Sequence, residues 1–289
     1  MPAFSDGGES EIRKKDYLNH IHTILAHIRK GDIFQACFTF TKTVPFLGAS
    51  NTLYALLRKS NPSPFSAFIA TGSLEIACCS PERFLKVSPD GTLEARPIKG
   101  TRPRGSTPEK DAALRAQLRA SLKDQAENIM ITDLLRNDMG RVCTLGSIKI
   151  KKLFQIEKYA NVHQMVSIIE GKGKFPGRNS SIAYVKSLFP GGSMTGAPKN
   201  RALEILGSLE SEKRGIYSGA IGYLGFNNAL DFNVAIRTAV IKNHKAFVGT
   251  GGGIVADSIP ESEYNEAQIK VQNILSAIGF VNRMTQQKK

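Results

Sequence analysis

Cysteine is scarce: the chain holds four in 289 residues, too few for a disulfide framework at this length. Cys78 and Cys79 sit side by side in an apolar, strand-like run, which suits buried structural thiols. Neither CxxC nor HExxH occurs, so zinc has no support. No stretch approaches the roughly eighteen apolar residues of a membrane span. The opening MPAFSDGGESEIRKKDY carries acidic residues and no apolar core, so it does not read as a secretory signal. There is no repeat period, no GxGxxG opening a helix, and no RNP-like or zinc-finger motif. What remains is a chain expected to be soluble and cytoplasmic, with neither membrane nor nucleic acid as partner.

Acid is also in short supply, 25 residues against 39 Lys and Arg, for a net charge of +14. The excess is spread over Lys149, Lys151, Lys152, Lys172, Lys174, Lys242 and Lys245, as on a solvated basic surface. A small anionic substrate would use only a few of these charges. Hydrophobic residues at 41% and charged residues at 22% are globular values, and the length allows one large core or two small ones.

Residues 1–15 read as a flexible lead-in. Leu18, Ile21, Leu25 and Ile28 then recur at helical spacing, with Gly31 as the stop. IFQACFTFTKTV is a strand, and Asn51 is placed to cap a short helix through Arg58. FSAFIATGSLEIACCS and RFLKVSPDGTLEARPI are hairpins, turning at Thr71-Gly72-Ser73 and Pro89-Asp90-Gly91. Two helices follow, one opening at Thr107-Pro108 and one centred on Asp124 to Arg136. SIKIKKLFQI is strand-like, while NVHQMVSIIEGK fits helix and strand equally well. GKGKFPGRNSS is the best candidate for an internal linker. GIYSGAIGYLGF, DFNVAIRTAVIK and KAFVGTGGGIV return to strands, before a long helix from about Pro260 to Ile278 and a tail over 282–289. Hairpins interleaved with amphipathic helices predict an α+β fold with largely antiparallel sheets, its main domain spanning 16–281.

Several groups can carry chemistry. Glu263, Glu266 and Lys270 project from one helix face, and Asp124 with Glu127 repeats the acidic i, i+3 spacing. Two such pairs would make an oxygen-rich site suited to Mg²⁺, although either alone is also common on a solvated helix. Gly249 to Gly253 form either an anion nest or a plain glycine turn. Gly191 to Gly196, including Thr195, lead into a helix whose free N–H groups suit an anion or a hydroxyl. Glu82 follows Pro81 at a strand start, a rigid place for a general acid; Arg237 is expected on a strand as a carboxylate clamp, and Tyr217 adds a hydroxyl. Lys99 lies in RPIKGTRPRG among Arg96, Arg102 and Arg104. A solvated lysine is protonated at neutral pH and is no nucleophile, whereas desolvation or nearby cations free the amine.

Taken together, GDIFQ, SPERF, RPIKGTRPRG, AENIMITDLLRND, GGSMTGAPK, YSGAIGYLG, AIRTA, GTGGGIVADS and ESEYNEAQIK resemble, in order, the motifs of the chorismate-utilising enzymes. That family includes anthranilate, aminodeoxychorismate, isochorismate and salicylate synthases, and the resemblance runs from about Tyr17 to Phe280. Anthranilate synthases typically read PIAGT where this chain reads PIKGT, so Lys99 resembles the aminodeoxychorismate branch. GGSMTGAPK is also similar to that branch. Gln35 stands where isochorismate synthases place a water-activating lysine, which disfavours water as the nucleophile. Gln164 aligns with a histidine of anthranilate and salicylate synthases, which fits a product that keeps its enolpyruvyl group.

The resemblance implies an anthranilate-synthase-like sandwich of two sheets flanked by helices, lacking the usual amino-terminal part. It implies a Mg²⁺-dependent, transaminase-class reaction of chorismate with ammonia, for p-aminobenzoate and folate, the ammonia coming from a glutamine amidotransferase partner. Glu127 and Glu266, with Asp124 and Glu263 through water, would hold Mg²⁺ on the ring carboxylate, which Thr195 also approaches. Tyr217, Arg237, Lys270 and the amides of Gly251, Gly252 and Gly253 would hold the enolpyruvyl carboxylate. Lys99 would add to the ring while Glu82 protonates the departing hydroxyl. Anthranilate synthase component I, or a chorismate-binding module without turnover, are the alternatives.

Overall fold

The computed structural model describes residues 12–175 and 180–287. In chain order, α1 (Lys14–Arg29), β1 (Gln35–Pro45) and α2 (Ser50–Ser60) lead into the hairpin of β2 (Phe65–Thr71) and β3 (Leu74–Ser80). β4 (Arg83–Val87), β5 (Thr92–Arg96) and β6 (Ile98–Pro103) precede α3 (Pro108–Ala120), α4 (Leu122–Gly140), β7 (Lys149–Lys158) and β8 (Val162–Lys172). Next come α5 (Ser180–Leu188), a 3₁₀ turn at Gly192–Met194, β9 (Gly196–Ala197) and α6 (Lys199–Leu209). β10 (Ala220–Leu224), β11 (Leu230–Val234), β12 (Thr238–Lys242), β13 (Lys245–Ile254) and α7 (Pro260–Gln286) complete the chain. The result is the expected mixed fold with two antiparallel sheets. The chain forms two compact units with one sheet each.

The first unit takes residues up to Pro81, Pro190–Gly219 and those from Ala235 onward. Its strands run in the order β2-β3-β12-β13-β1-β9. β1 and β13 pair without interruption from Ala36↔Ile254 to Pro45↔Lys245. Tyr17, Ile21, Ile24 and Leu25 form the buried stripe of α1 and pack with Phe38 and with Ile205 and Leu206 of α6. Val271, Ile274, Ile278 and Val281 form the stripe of α7, buried with Leu53 and Leu57 of α2 and Val248 of β13. Each such side chain contributes about 1.5–3 kcal/mol. That stripe carries α7 beyond the expected end at Ile278. Asn282 donates to the Pro45 carbonyl at 2.9 Å and accepts from the Leu47 N–H at 2.8 Å, so 282–286 is helix rather than tail. At the other end α1 already begins at Lys14, inside the expected lead-in, whose residues 1–11 lie outside the described ones.

The second unit takes Glu82–Phe189 and Ala220–Val234. Its strands run β10-β11-β4-β5-β8-β6, with β7 on the other side of β8. β5 and β6 share that one neighbour end to end: Ala95 pairs with Ile169 and Ile98 with Val166. Pro97 falls between them, where its carbonyl still accepts from the Ser167 N–H at 3.2 Å. RPIKGTRPRG is therefore largely strand. NVHQMVSIIEGK also resolves as strand, since β8 has neighbours on both sides to take its backbone groups. Arg83 fixes the start of β4 by forking onto Asp231 of β11 at 2.8 Å twice and reaching Glu94 of β5 at 2.5 Å.

Two local expectations change. Asn51 does not cap α2; the N-cap is Ala49, and Asn51 lies in the first turn. DFNVAIRTAVIK is not one strand but β11 and β12, which belong to different sheets. The chain turns between them at Arg237, whose φ of +51° is incompatible with a ladder.

Candidate active site

In the second unit the candidate groups are Glu82, Lys99, Asp124 and Glu127. Lys99 lies on β6 and Glu127 on α4, with Nζ 4.0 Å from Oε2 and both side chains largely buried. This is an ion pair rather than a tight hydrogen bond. The next residue explains the approach. A Cβ on Gly100 would lie 2.8 Å from the Asp124 side chain and 2.9 Å from Leu118, and its φ is +84°. Only glycine lets the start of α4 settle so closely against β6.

The rotation of α4 is set by polar rather than apolar contacts. Asn128, one residue after Glu127, is fully buried. It donates to the Met165 carbonyl at 3.3 Å, while its Oδ1 accepts from Ser167 at 2.5 Å and Thr132 at 3.3 Å. With that side chain tied to β8, Asp124 and Glu127 are held near β6. Glu82 opens β4 and is buried, its carbonyl accepting from Val234 at 3.0 Å.

The three flanking arginines each find a carboxylate. Arg96 pairs with Glu157, Arg102 with Asp124 at 2.9 Å, and Arg104 forks onto Asp111 at 2.6 and 2.9 Å. They act as struts around β6 rather than as a ring of bare cations. His163 is buried and shares Asp111 through Nε2 at 2.9 Å. Its neighbour Gln164 is also buried, with no hydrogen-bond partner for Oε1 among the described residues.

In the first unit the candidates are Thr195, Tyr217, Arg237, Gly251 to Gly253, Glu263, Glu266 and Lys270. Lys270 donates to the Gly251 carbonyl at 2.9 Å and pairs with Glu266 at 2.7 Å. Arg237, expected on a strand, instead occupies the left-handed turn before β12 and donates to the Lys270 carbonyl. Burial pulls its pKa below the ordinary arginine value, against the upward pull of Tyr217 and Glu266. Burial pushes the Tyr217 hydroxyl well above the usual phenol range. The Tyr217 ring fills the space over Gly249, where a Cβ would meet it at 2.1 Å.

Glu263 is buried and accepts from Ser258 at 2.7 Å. A Cβ on Gly252 would sit 3.2 Å from Glu263 Oε2 and 3.6 Å from Lys270 Nζ. The glycine run is strand, not a turn. β12 pairs only with Lys245–Val248, so from Gly249 onward β13 has a strand neighbour on the β1 side alone. Thr195 is buried across β1 from β13, its carbonyl accepting from Cys37 at 2.7 Å and its hydroxyl donating to Gly191 or Gly192 at 3.3 Å.

Sequence reasoning missed Arg214 and Glu210. Arg214 forks onto Glu210 at 2.7 and 2.8 Å and donates to the carbonyls of Met194 at 2.5 Å and Cys37 at 2.8 Å. Glu210 also takes both donors of Thr39. This node ties β1 to the backbone just before Thr195. Its one sequence signal was an acid–base i, i+4 spacing directly before YSGAIG.

Among the described residues, no three His, Cys, Asp or Glu side chains form a potential metal cluster; the acids expected at the metal are two per unit, Asp124 with Glu127 and Glu263 with Glu266. Each pair is all-oxygen, which matches a Mg²⁺ ion that takes one or two carboxylates and keeps its waters. All four cysteines are buried, as expected of structural thiols, and burial lifts Cys79 and Cys143 to about 11. No helix among the described residues is long and apolar enough to cross a membrane.

Residues 3–276 match the chorismate binding enzyme family, and the chain belongs to it. It is 48% identical over 266 residues to the probable chloroplastic aminodeoxychorismate synthase of Oryza sativa subsp. japonica, covering 91% of this chain and 29% of that one. It is 41% identical over 269 residues to anthranilate synthase component 1 of Acetivibrio thermocellus, covering 93% of this chain and 54% of that one. The crystal structure of anthranilate synthase component I from Streptococcus pneumoniae TIGR4 superposes with a TM-score of 0.83 at 33% identity, over 95% of this chain and 62% of that one. The chain thus spans between under a third and about three fifths of these relatives.

Proposed function

We propose that the chain carries the chorismate-converting activity of an aminodeoxychorismate synthase in a cytoplasmic setting, with ammonia from a glutamine amidotransferase. The observation that carries the reading is Lys99 itself: a largely buried amine on a rigid strand, 4.0 Å from Glu127, in a PIKGT motif that resembles the aminodeoxychorismate branch rather than the PIAGT typical of anthranilate synthases. The higher identity to the rice protein, 48% against 41%, supports the same branch.

On this reading, as the family resemblance implies, Glu127 and Glu266, with Asp124 and Glu263 through water, would hold a Mg²⁺ ion. When bound, it would neutralise the ring carboxylate of chorismate. Arg237, Lys270, Tyr217 and the amides of Gly251 to Gly253 orient the enolpyruvyl carboxylate, and Thr195 approaches the ring carboxylate. Lys99 Nζ forms a bond to ring C2 through its lone pair, the ring double bonds shift, and the C4–O bond breaks. Glu82 gives its proton to the departing hydroxyl, which leaves as water. Ammonia then bonds to C4, the double bonds shift back, and the C2–N bond to Lys99 breaks. The proton lost by the incoming nitrogen restores Glu82. The sum is chorismate plus ammonia giving 4-amino-4-deoxychorismate plus water.

The test is product analysis with chorismate, Mg²⁺ and ammonium, with and without an amidotransferase. The expected product is 4-amino-4-deoxychorismate. Lys99→Ala should abolish the ammonia-dependent rate, and Glu82→Gln should lower it about 10²–10⁴-fold. Direct formation of anthranilate would overturn the reading in favour of its sister enzyme. Chorismate binding without turnover in either mixture would make the chain a binding module, and equal rates for wild type and Lys99→Ala would remove the covalent step.

A further inference from the structure

Helix α3 buries a single side chain, Leu118. Along another face it turns Asp111, Ala112, Arg115, Ala116 and Arg119 toward a cavity of about 660 Å³, within the size range of small-molecule sites. Ala112, Arg115, Ala116 and Arg119 are all exposed, so the cavity opens to solvent along this face. The cavity lies wholly within the second unit, and none of the residues assigned above to chorismate or Mg²⁺ lines it.

Its floor is already organised. Arg104 forks onto Asp111 and donates to the Tyr159 carbonyl at 3.0 Å, while Asp111 also accepts from the Gly105 N–H at 2.9 Å and from His163. The one carboxylate of the cavity is therefore occupied. Arg115, Arg119 and Lys158 complete the wall, and among the described residues none of them has a carboxylate partner. Three like charges around one hollow repel one another, and a ligand bearing oxyanions relieves that repulsion. Guanidinium forks suit carboxylate and phosphate groups alike. A single inorganic ion would leave most of the volume unfilled.

We propose that this cavity is a second binding site, distinct from that for chorismate, for a small organic polyanion bearing carboxylate or phosphate groups. The test is calorimetric titration of the full chain with citrate and, separately, pyrophosphate. Saturable one-to-one binding of either probe is expected, and which one binds more tightly tells carboxylate from phosphate. Arg115→Ala with Arg119→Ala should weaken it about tenfold or more. Both side chains are exposed and alanine favours helix, so circular dichroism should be unchanged. Lys149→Ala with Lys152→Ala removes the same charge from exposed β7 positions and should change affinity less than about twofold. Absence of saturable binding by both probes would overturn the proposal. So would an equal loss in the β7 control, or full displacement of the probe by chorismate.

Discussion

Asp111 accepts from Arg104, from the Gly105 N–H and from His163, and these contacts, the Arg104 guanidinium foremost, hold its carboxyl far below the usual carboxylate range. A carboxyl depressed on folding adds stability that is complete above its unfolded value near 4 and fades as pH falls toward the folded one. Asp111→Asn should therefore lower the urea midpoint at pH 7, and the gap to wild type should shrink below about pH 4. A pH-independent gap would mean that Asp111 acts through shape and not charge. At this scale the sequence was readable only in part. Lys99 and its three arginines stood out, but what the arginines do did not, because Glu157 lies far along the chain from Arg96 and Asp124 a helix away from Arg102. Only Arg104–Asp111 was close enough in sequence to be suspected.

Among the elements, α4 shows how a helix can be aimed without a hydrophobic stripe. Its buried positions include Asn128, Thr132 and Asp138 beside Ile131 and Met139, so apolar periodicity described it poorly. Asn128→Ala would leave the Met165 carbonyl and the Ser167 hydroxyl without these partners. A loss of about 2–3 kcal/mol is expected in denaturant titration, with a fall in the proposed chorismate turnover because Glu127 is no longer held. Thr132→Val, which removes one peripheral bond, should cost about 1 kcal/mol. A null result for Asn128→Ala would mean that α4 is positioned by Ile131 and Met139 alone. Other elements were legible because one signal dominated. The hairpin turns carry their own residues, and α1 and α7 have regular apolar stripes. β8 was ambiguous because its residues 163–167 are buried on both faces, and such a strand carries no clean alternation. The β11–β12 boundary was invisible because only the φ of Arg237 interrupts a run of strand formers.

Across the whole molecule, the sheets are not assembled from contiguous stretches. The second unit closes only when β10 and β11 return after an excursion into the first. Residues 82–189 expressed without 220–234 would leave β4 without β11, and Arg83 without Asp231. Such a fragment is expected to aggregate through that unpaired edge, whereas the full chain should elute as a discrete species on size exclusion. A monodisperse, cooperatively unfolding fragment would contradict this. Family membership, by contrast, was legible at once, since motifs survive in linear order even where the fold mixes them.

The glycine strand has a further consequence, for how such a protein can change. Tyr217 occupies the space over Gly249, and Glu263 with Lys270 crowds Gly252, so this surface is made of main chain. A main-chain surface has no side chain to exchange. On the proposed function, selection or design seeking a different acid would leave β13 as it is and work through Tyr217, Arg237 and Lys270, which makes the strand slow to diverge.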